Sequence, residues 1–518
     1  MPTPTPSSDD LQPSDKRSRL RTDTLASSVL ILLIATVVQR SVGFGRGVFF
    51  CRWLSPETLG QWEMAYSFLL LAAPLAVLGV PGSFGRYLEH YRQRGYLHTF
   101  LLRTSVWTAL FSSAAVAMVV SNAPLFSRLL FGSEESTNLL RGIAFCLAAV
   151  IVHHTLSSLL TALRLFRVVS VMNFLQSLLF ACVALGLLLV DASVSSIVTG
   201  YGIACLCASL GAMAWVWPGL REVERPVDHL PQSQFWPRLL RFAFFVWLSN
   251  LLTHLFAVVD RYMIIHYSGM NPVEALEQVG HYHSSRIVPL LLVSVADLLS
   301  GMILPHLSHD WETGRRKQVG KLLNLSIKLS AIAMLAFGFG VLLFAPLLFN
   351  VVFAGKYADG LGVLPWTLAG CIWYGIYLVS CNYLWCAERT RLATLPLGLG
   401  LLLNVGLNLL LLPVWGLLGA VIATATSTLL CLVVLLFLSS QHGMELGRGT
   451  WILIAAPVTL TFGTTMAGIV LAALLLATLG TTLILTNAER DQLQGLLAQI
   501  LGKLKPLRLR KSSATGTV

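Results

Sequence analysis

The sequence predicts an all-α polytopic membrane protein of about fourteen transmembrane helices, with two six-helix lobes in pseudo-twofold repeat plus a C-terminal helix pair. Three observations lead there. Hydrophobic residues make up 55% of the 518 and charged residues only 12%, against about 25% charged in soluble domains, and the mean hydropathy is +0.73. Apolar runs of span length recur along the chain. Basic residues concentrate in alternate connections between those runs, so the formal net charge of +12 is read as topology, and nucleic acid is set aside as a partner.

Residues 1–24 are polar and end in the basic cluster Lys16, Arg17, Arg19 and Arg21. They predict a disordered cytoplasmic tail, because the apolar run that follows is too long for a signal peptide and lacks a cleavage-like end. The N-terminal lobe, 25–217, divides into spans near 25–50, 63–82, 100–121, 139–162, 168–190 and 194–217. A polar cytoplasmic connector covers 218–241. The C-terminal lobe, 242–439, repeats the series near 242–266, 283–306, 323–350, 361–386, 393–413 and 417–439.

The stretch 440–486 predicts a helix pair turning near Gly463-Thr464-Thr465, and 487–518 a basic cytoplasmic tail. The charge pattern sets that pair. With the N-terminus inside, Arg86, Arg92 and Arg94, then Arg164 and Arg167, then Arg221, Arg225 and Arg238 all fall inside. Arg315, Arg316, Lys317 and Lys321, then Arg389 and Arg391, continue the series. The opposite loops hold little beyond Arg52, Arg128 and Lys356. The C-tail carries Lys503, Lys505, Arg508, Arg510 and Lys511 and belongs inside too, which requires an even number of spans.

The chain repeats itself at an offset of about 215–224 residues. "APLFSRLLFGSEESTN" at 123–138 echoes "APLLFNVVFAGKYADG" at 345–360, and "LGQWEMAYSFLL" at 59–70 matches "VGHYHSSRIVPLL" at 279–291. Gly45-Arg46 corresponds to Asp260-Arg261. Both copies start inside, so a substrate path is expected between the lobes.

Three stretches resemble the polysaccharide (O-antigen type) flippases of the multidrug/oligosaccharidyl-lipid/polysaccharide exporter superfamily: residues 54–88, residues 258–291, and "NVGLNLLLLPVWGLLGAVIATATS" at 404–427. The resemblance covers roughly residues 25–490. It implies carriage of an undecaprenyl-pyrophosphate-linked oligosaccharide from the cytoplasmic to the outer leaflet of a bacterial inner membrane, through two lobes around a cationic cavity. Membrane lipid, and other polysaccharide-assembly membrane proteins, are the partners it suggests.

The residues bear on that implication directly. Charge at mid-bilayer costs about 2.5–3.5 kcal/mol on insertion scales, so it defaults to the bundle interior or a wet cavity. Arg40, Arg46, Arg261 and Arg286 are the intramembrane arginines, with Asp260 and Asp297 as the acids at comparable depth. A cavity lined by them is net positive and suits an anion such as pyrophosphate, which guanidinium groups bind through a bidentate fork. Arg40 and Arg46 are about 240° apart on an ideal helix, so Gly43, Gly45 and Gly47 would either bend it or serve close packing. Arg286 and Asp297 share a helical face. Trp247, Asn250, His254 and Arg261 form one stripe, with Asn250 and His254, like Asp260 and Asp297, suited to sugar or coupling contacts. Arg86 fits a cytoplasmic gate as well as a topological anchor.

Elsewhere packing is the expectation. His153 and His154 read as helix–helix hydrogen bonders ahead of a proton relay. Asn404 and Asn408 should bond a neighbouring helix, Gly416 and Gly419 should allow close packing, and the nine cysteines should be small buried hydrophobes. His281 and His283 lack an acid or thiol at ligand spacing, so no metal is expected. No cofactor is expected either, and the absence of a GxxxxGK(S/T) loop speaks against direct ATP use. A lipid II flippase and a multidrug cation antiporter of the same superfamily stay open as alternatives. A membrane-embedded polysaccharide polymerase or ligase, an enzyme, fits less well, because every outer loop is short and none holds a nucleophile–base–acid set.

Overall fold

In the computed structural model the described residues are 25–221 and 231–494. Residues 222–230 of the connector, the N-terminal tail and most of the basic C-tail therefore lie outside them. The first helices are α1 (Leu25–Trp53), α2 (Pro56–Ala76), α3 (Phe84–Gln93), α4 (Leu97–Ser121) and α5 (Ala123–Phe131). Then come α6 (Thr137–Ala162), α7 (Phe166–Leu188), α8 (Val194–Arg221) and α9 (Gln232–Tyr267). After α9 follow α10 (Pro272–Arg286), α11 (Pro289–Glu312), α12 (Arg316–Leu347), α13 (Ala358–Cys386) and α14 (Thr390–Gln441). Then come α15 (Arg448–Ala455) and α16 (Thr464–Gly480), and helical backbone resumes at 487.

Among the described residues, eight helices are long and apolar enough to cross a membrane, nine if the bent pair α2–α3 is one span. Part of the gap to the sequence expectation lies in α14, whose 52 residues are enough for two crossings. It breaks at Gly416, which sits at φ 54°, ψ −134°. Part lies in the helix pair after Arg448, whose two arms are short and part at Gly463, at φ 96°.

Several boundaries differ from the sequence expectation for local reasons. The second span begins at Pro56, seven residues early, and bends by 62° after Ala76. Leu78 and Gly79 hold left-handed backbone there (φ 49° and 66°), and a side chain at 79 would strike Trp247 Cβ at 2.5 Å. The expected span 283–306 is two helices parted at Pro289, whose missing N–H and fixed φ favour the start of a helix. Arg286 therefore ends α10 and Asp297 lies within α11, on either side of Pro289. The outer connection 122–138 contains α5, which ends at left-handed Gly132 (φ 73°). The matching repeat at 345–360 likewise closes a short helical turn on left-handed Ala354 and Gly355.

The chain forms two compact units. The first holds the described residues up to Phe49 with Gln61–His254; the second holds Phe50–Gly60 with the residues from Leu255 on. In the first unit, α3 docks through Phe84, Tyr87 and Tyr91 onto Phe100, Phe235 and Leu239, with Tyr91 and Phe100 stacked at 5.4 Å.

In the second unit, the segment 50–60 is held by the glycines of the repeat. A Cβ on Gly60 would lie 1.9 Å from the Leu276 carbonyl oxygen, and one on Gly280 would lie 1.9 Å from that of Pro56. Lys356 Nζ donates to the Arg52 carbonyl at 2.8 Å, and Tyr357 Oη to that of Leu54 at 3.3 Å. The C-terminal pair is tied to α12 and α13. Trp373 Nε1 donates to the Ile454 carbonyl at 2.8 Å, and Thr450 Oγ1 to Asn324 at 2.7 Å.

Candidate functional site

In the first unit, α1 runs unbroken through Gly43, Gly45 and Gly47. A side chain at Gly45 would meet nothing within 4 Å, so this glycine neither bends the helix nor serves close packing. Arg40 is exposed and Arg46 half-buried. The Arg46 guanidinium carbon sits 4.1 Å above the Phe180 ring centroid, an arrangement attractive to a cation. Phe180 of α7 belongs to a ring cluster with Trp62 and Tyr66 of α2 and Tyr201 of α8, centroids 4.8–5.9 Å apart.

Tyr66 also lies within electrostatic reach of Arg40 and Glu63. Glu63 is 5% exposed and is an acid that the sequence reading leaves out. Its omission traces to the boundary error at α2: a span starting at 63 puts Glu63 at the interface, whereas a helix starting at Pro56 puts it two turns in. Arg86 is exposed at the first turn of α3. On α9, Asn250 is exposed and His254 half-buried, within electrostatic reach of His154. Ser209 Oγ and His153 Nδ1 are 3.4 Å apart, a hydrogen bond between α8 and α6.

The second unit encloses a cavity of about 210 Å³ lined by Asp260, Tyr282, Arg286, Tyr374, Thr424 and Thr428 among others. Asp260 and Arg261 are 2% and 6% exposed. Tyr282 Oη donates to Asp260 Oδ2 at 3.1 Å, and Arg261 Nη1 donates to the Ala257 carbonyl at 2.8 Å. The Arg286 guanidinium lies 5.2 Å from the Tyr282 ring centroid. Tyr282 is thus the hub that gathers Asp260, Arg261 and Arg286. Asp297 stands apart on α11, exposed, within electrostatic reach of Tyr374. Asn408 Nδ2 donates to Asn404 Oδ1 at 2.9 Å, and Asn404 Nδ2 to Thr424 Oγ1 across the α14 break at 3.3 Å.

Two further findings depart from the sequence reading. Lys328, within the apolar helix α12, is a further buried cation, 1% exposed, and it donates to both Glu489 carboxylate oxygens at 2.8 Å. Asn324 and Thr486 complete the set around that carboxylate. Cys182 and Cys207 are exposed, unlike the six buried cysteines and half-buried Cys371. In a membrane protein an exposed thiol on an apolar helix faces lipid as readily as water, so burial is not the criterion there. His281 Nε2 sits 3.9 Å from Asp359.

Comparison with known proteins places these units in context. The family model described as "Polysaccharide biosynthesis protein" matches residues 25–309. A probable low-salt glycan biosynthesis flippase, Agl15 of Haloferax volcanii, is 21% identical over 408 residues, covering 78% of this chain and 81% of its own. Among solved structures, the lipid II flippase MurJ in an inward closed conformation superposes with a TM-score of 0.68 at 14% identity, over 87% of this chain and 98% of its own. An outward-facing multidrug resistance MATE family transporter of the MOP superfamily gives 0.59 at 15% identity, over 82% and 97%.

Proposed function

The chain belongs to the polysaccharide biosynthesis protein family, and on that premise we propose that it is a flippase. Its cargo is a polyprenyl-pyrophosphate-linked oligosaccharide, carried from the cytoplasmic to the outer leaflet of a bacterial inner membrane with both termini cytoplasmic. The observation that carries the reading is the set of arginines within apolar helices: Arg46 in one unit, Arg261 and Arg286 in the other. Fixed guanidinium groups at that depth match a pyrophosphate, an anion that cannot cross lipid unaided. The polyprenyl chain stays in lipid while the headgroup and sugars move by alternating access. An anion leaving a negative-inside cell gains about 2.3 kcal/mol per charge per 100 mV, so the membrane potential has the right sign to drive export.

A lipid II flippase needs the same cationic surface and is the second reading, supported by the likeness to the lipid II flippase fold. A multidrug cation antiporter fits less well, because it would want carboxylates in excess, where the four arginines Arg40, Arg46, Arg261 and Arg286 outnumber Asp260, Asp297 and Glu63. Depletion tests the proposal and separates the two readings. An oligosaccharide on polyprenyl pyrophosphate should accumulate on the cytoplasmic leaflet while peptidoglycan synthesis continues. Accumulation of lipid II instead would support the second reading, and accumulation of neither would refute both.

A further inference from the structure

Trp62, Tyr66, Phe180 and Tyr201 have no part in the scheme above, yet they form one ring cluster whose member Phe180 carries the half-buried Arg46 guanidinium. Arg46 lies seven residues before the end of α1, the nearer exit for a snorkelling side chain. Its guanidinium goes the other way. Nη2 lies 3.8 Å from where a Cβ on Gly43 would stand, so the group folds back over the preceding turn, into space a glycine leaves open. There it rests on the face of Phe180. Among the described residues it forms no ion pair.

The two ways of holding a buried cation differ in consequence. A carboxylate cancels its charge and occupies its donor fork. An aromatic face attracts it through the ring quadrupole and leaves the N–H edge unoccupied. Phe180 cannot turn away, because it is 2% exposed and packed against Trp62 at 5.6 Å and Tyr201 at 4.8 Å. We infer that this aromatic cage is a positioning device that keeps Arg46 charged, oriented and without a counter-charge, ready to take a phosphate oxygen pair of the cargo. Phe180 is the residue that sets the affinity. The inference rests on the proposed function, since it assigns Arg46 an anionic cargo.

The test uses the full chain in nanodiscs, with inorganic pyrophosphate as the probe and titration calorimetry as the readout. Arg46→Ala should abolish binding. Phe180→Leu should weaken it about three- to thirty-fold, the range a cation–ring contact is worth, and Phe180→Tyr should restore it. Should Phe180→Leu fold poorly, replacing Phe180 with phenylalanines of increasing fluorination keeps its shape and drains the ring face. Affinity should then fall stepwise at unchanged thermal stability. Equal affinity across the fluorinated series, with Arg46→Ala still abolishing binding, overturns the cage and leaves the flippase reading intact. Pyrophosphate binding untouched by Arg46→Ala, or none by the wild type at millimolar concentration, removes the site reading and the cage together.

Discussion

Arg46 and Arg261 hold corresponding places in the two repeats, but the two units treat them differently. In the first unit the guanidinium lies on Phe180 within a cluster of rings, with Glu63 within electrostatic reach of Tyr66. In the second unit Arg261 follows Asp260, bonds its own helix at Ala257, and shares Tyr282 with Arg286. One repeat keeps its cation open; the other embeds its cations in a polar network with an acid. The two repeats thus place a charge at corresponding sequence positions and differ in what surrounds it. Under the proposed function all three arginines serve the anion, the first unit's resting on a ring and the second unit's held within a network that also supports the fold around the cavity.

The sharpest way to break that comparison is to remove each arginine. Arg46→Ala should reduce outer-leaflet delivery of the lipid-linked sugar by tenfold or more, about 1.4 kcal/mol or above, at normal membrane abundance. Arg46→Lys should recover only part, because one ammonium cannot reproduce the guanidinium fork. Arg261→Ala should instead lower abundance, since it leaves buried Asp260 with less compensation, and adding Asp260→Asn should recover it. Quantitative immunoblotting alongside a delivery assay reads both effects. Reversed outcomes, with Arg261→Ala abundant but inactive and Arg46→Ala scarce, would show that the roles assigned to the units are exchanged.

Lys328 and Glu489 supply a second contrast, a cation neutralised outright. Breaking this buried pair by Lys328→Met should cost about 3–5 kcal/mol, and Lys328→Met with Glu489→Met should return most of it. Burial alone would raise the Glu489 carboxyl, but Lys328 and Thr486 outweigh it and hold the group below its ordinary 4.5. With the folded value depressed, the contribution is fully present above 4.5 and disappears as the pH falls through the lower folded value. Thermal unfolding in nanodiscs between pH 3 and 7 should show that loss in the wild type and not in the double variant. A double variant as unstable as the single one would mean that packing, and not the ion pair, holds the C-terminal helices to α12.

Sequence reading reaches the helical class, the repeat and the turn at Gly463 because each rests on a strong, local signal: apolar run length, quoted identity, or a breaker residue. It singles out Arg46, Asp260, Arg261 and Arg286 because charge in an apolar run is conspicuous. It misses Glu63 because a hydropathy boundary drawn seven residues late moves that acid out of the membrane. It leaves out Lys328 although five apolar-run residues precede it, and its partner Glu489 is 161 residues away. The cage escapes for a different reason. Trp62, Phe180 and Tyr201 are ordinary span residues in sequence, and only the packing of α2, α7 and α8 brings their rings together and sets Phe180 under Arg46. The helix boundary at Pro289, between Arg286 and Asp297, is passed over because a count of apolar residues runs straight through it.

A milder contrast lies in the glycine crossing of the second unit. Gly60→Ala or Gly280→Ala drives a methyl group into a backbone carbonyl, which cannot rotate away as a side chain can. Each should cost about 1–3 kcal/mol, whereas Gly45→Ala on α1, with nothing within 4 Å, should be silent or slightly stabilising. Equal melting temperatures for Gly60→Ala and Gly45→Ala would remove the crossing as a structural contact.

The smallest effect is the most discriminating for the second unit's network. Tyr282→Phe keeps the ring beside Arg286 and removes only the hydroxyl that donates to Asp260 Oδ2. Asp260 is 2% exposed, and no hydrogen-bond partner for its Oδ1 is found among the described residues, so the Tyr282 hydroxyl should matter more than a surface hydrogen bond. A buried hydrogen bond to a charged group is worth about 1.5–3 kcal/mol, and the loss should appear as a lower melting temperature with delivery nearly unchanged. If the hydroxyl holds the acid in place, Tyr282→Phe should cost nothing further once Asp260→Asn is present, a coupling that a double-mutant cycle measures directly. Additive costs would mean that Tyr282 acts through its ring alone. In that case the second unit would hold its arginines on aromatic faces as the first does, and the contrast between the units would collapse to the presence of Asp260.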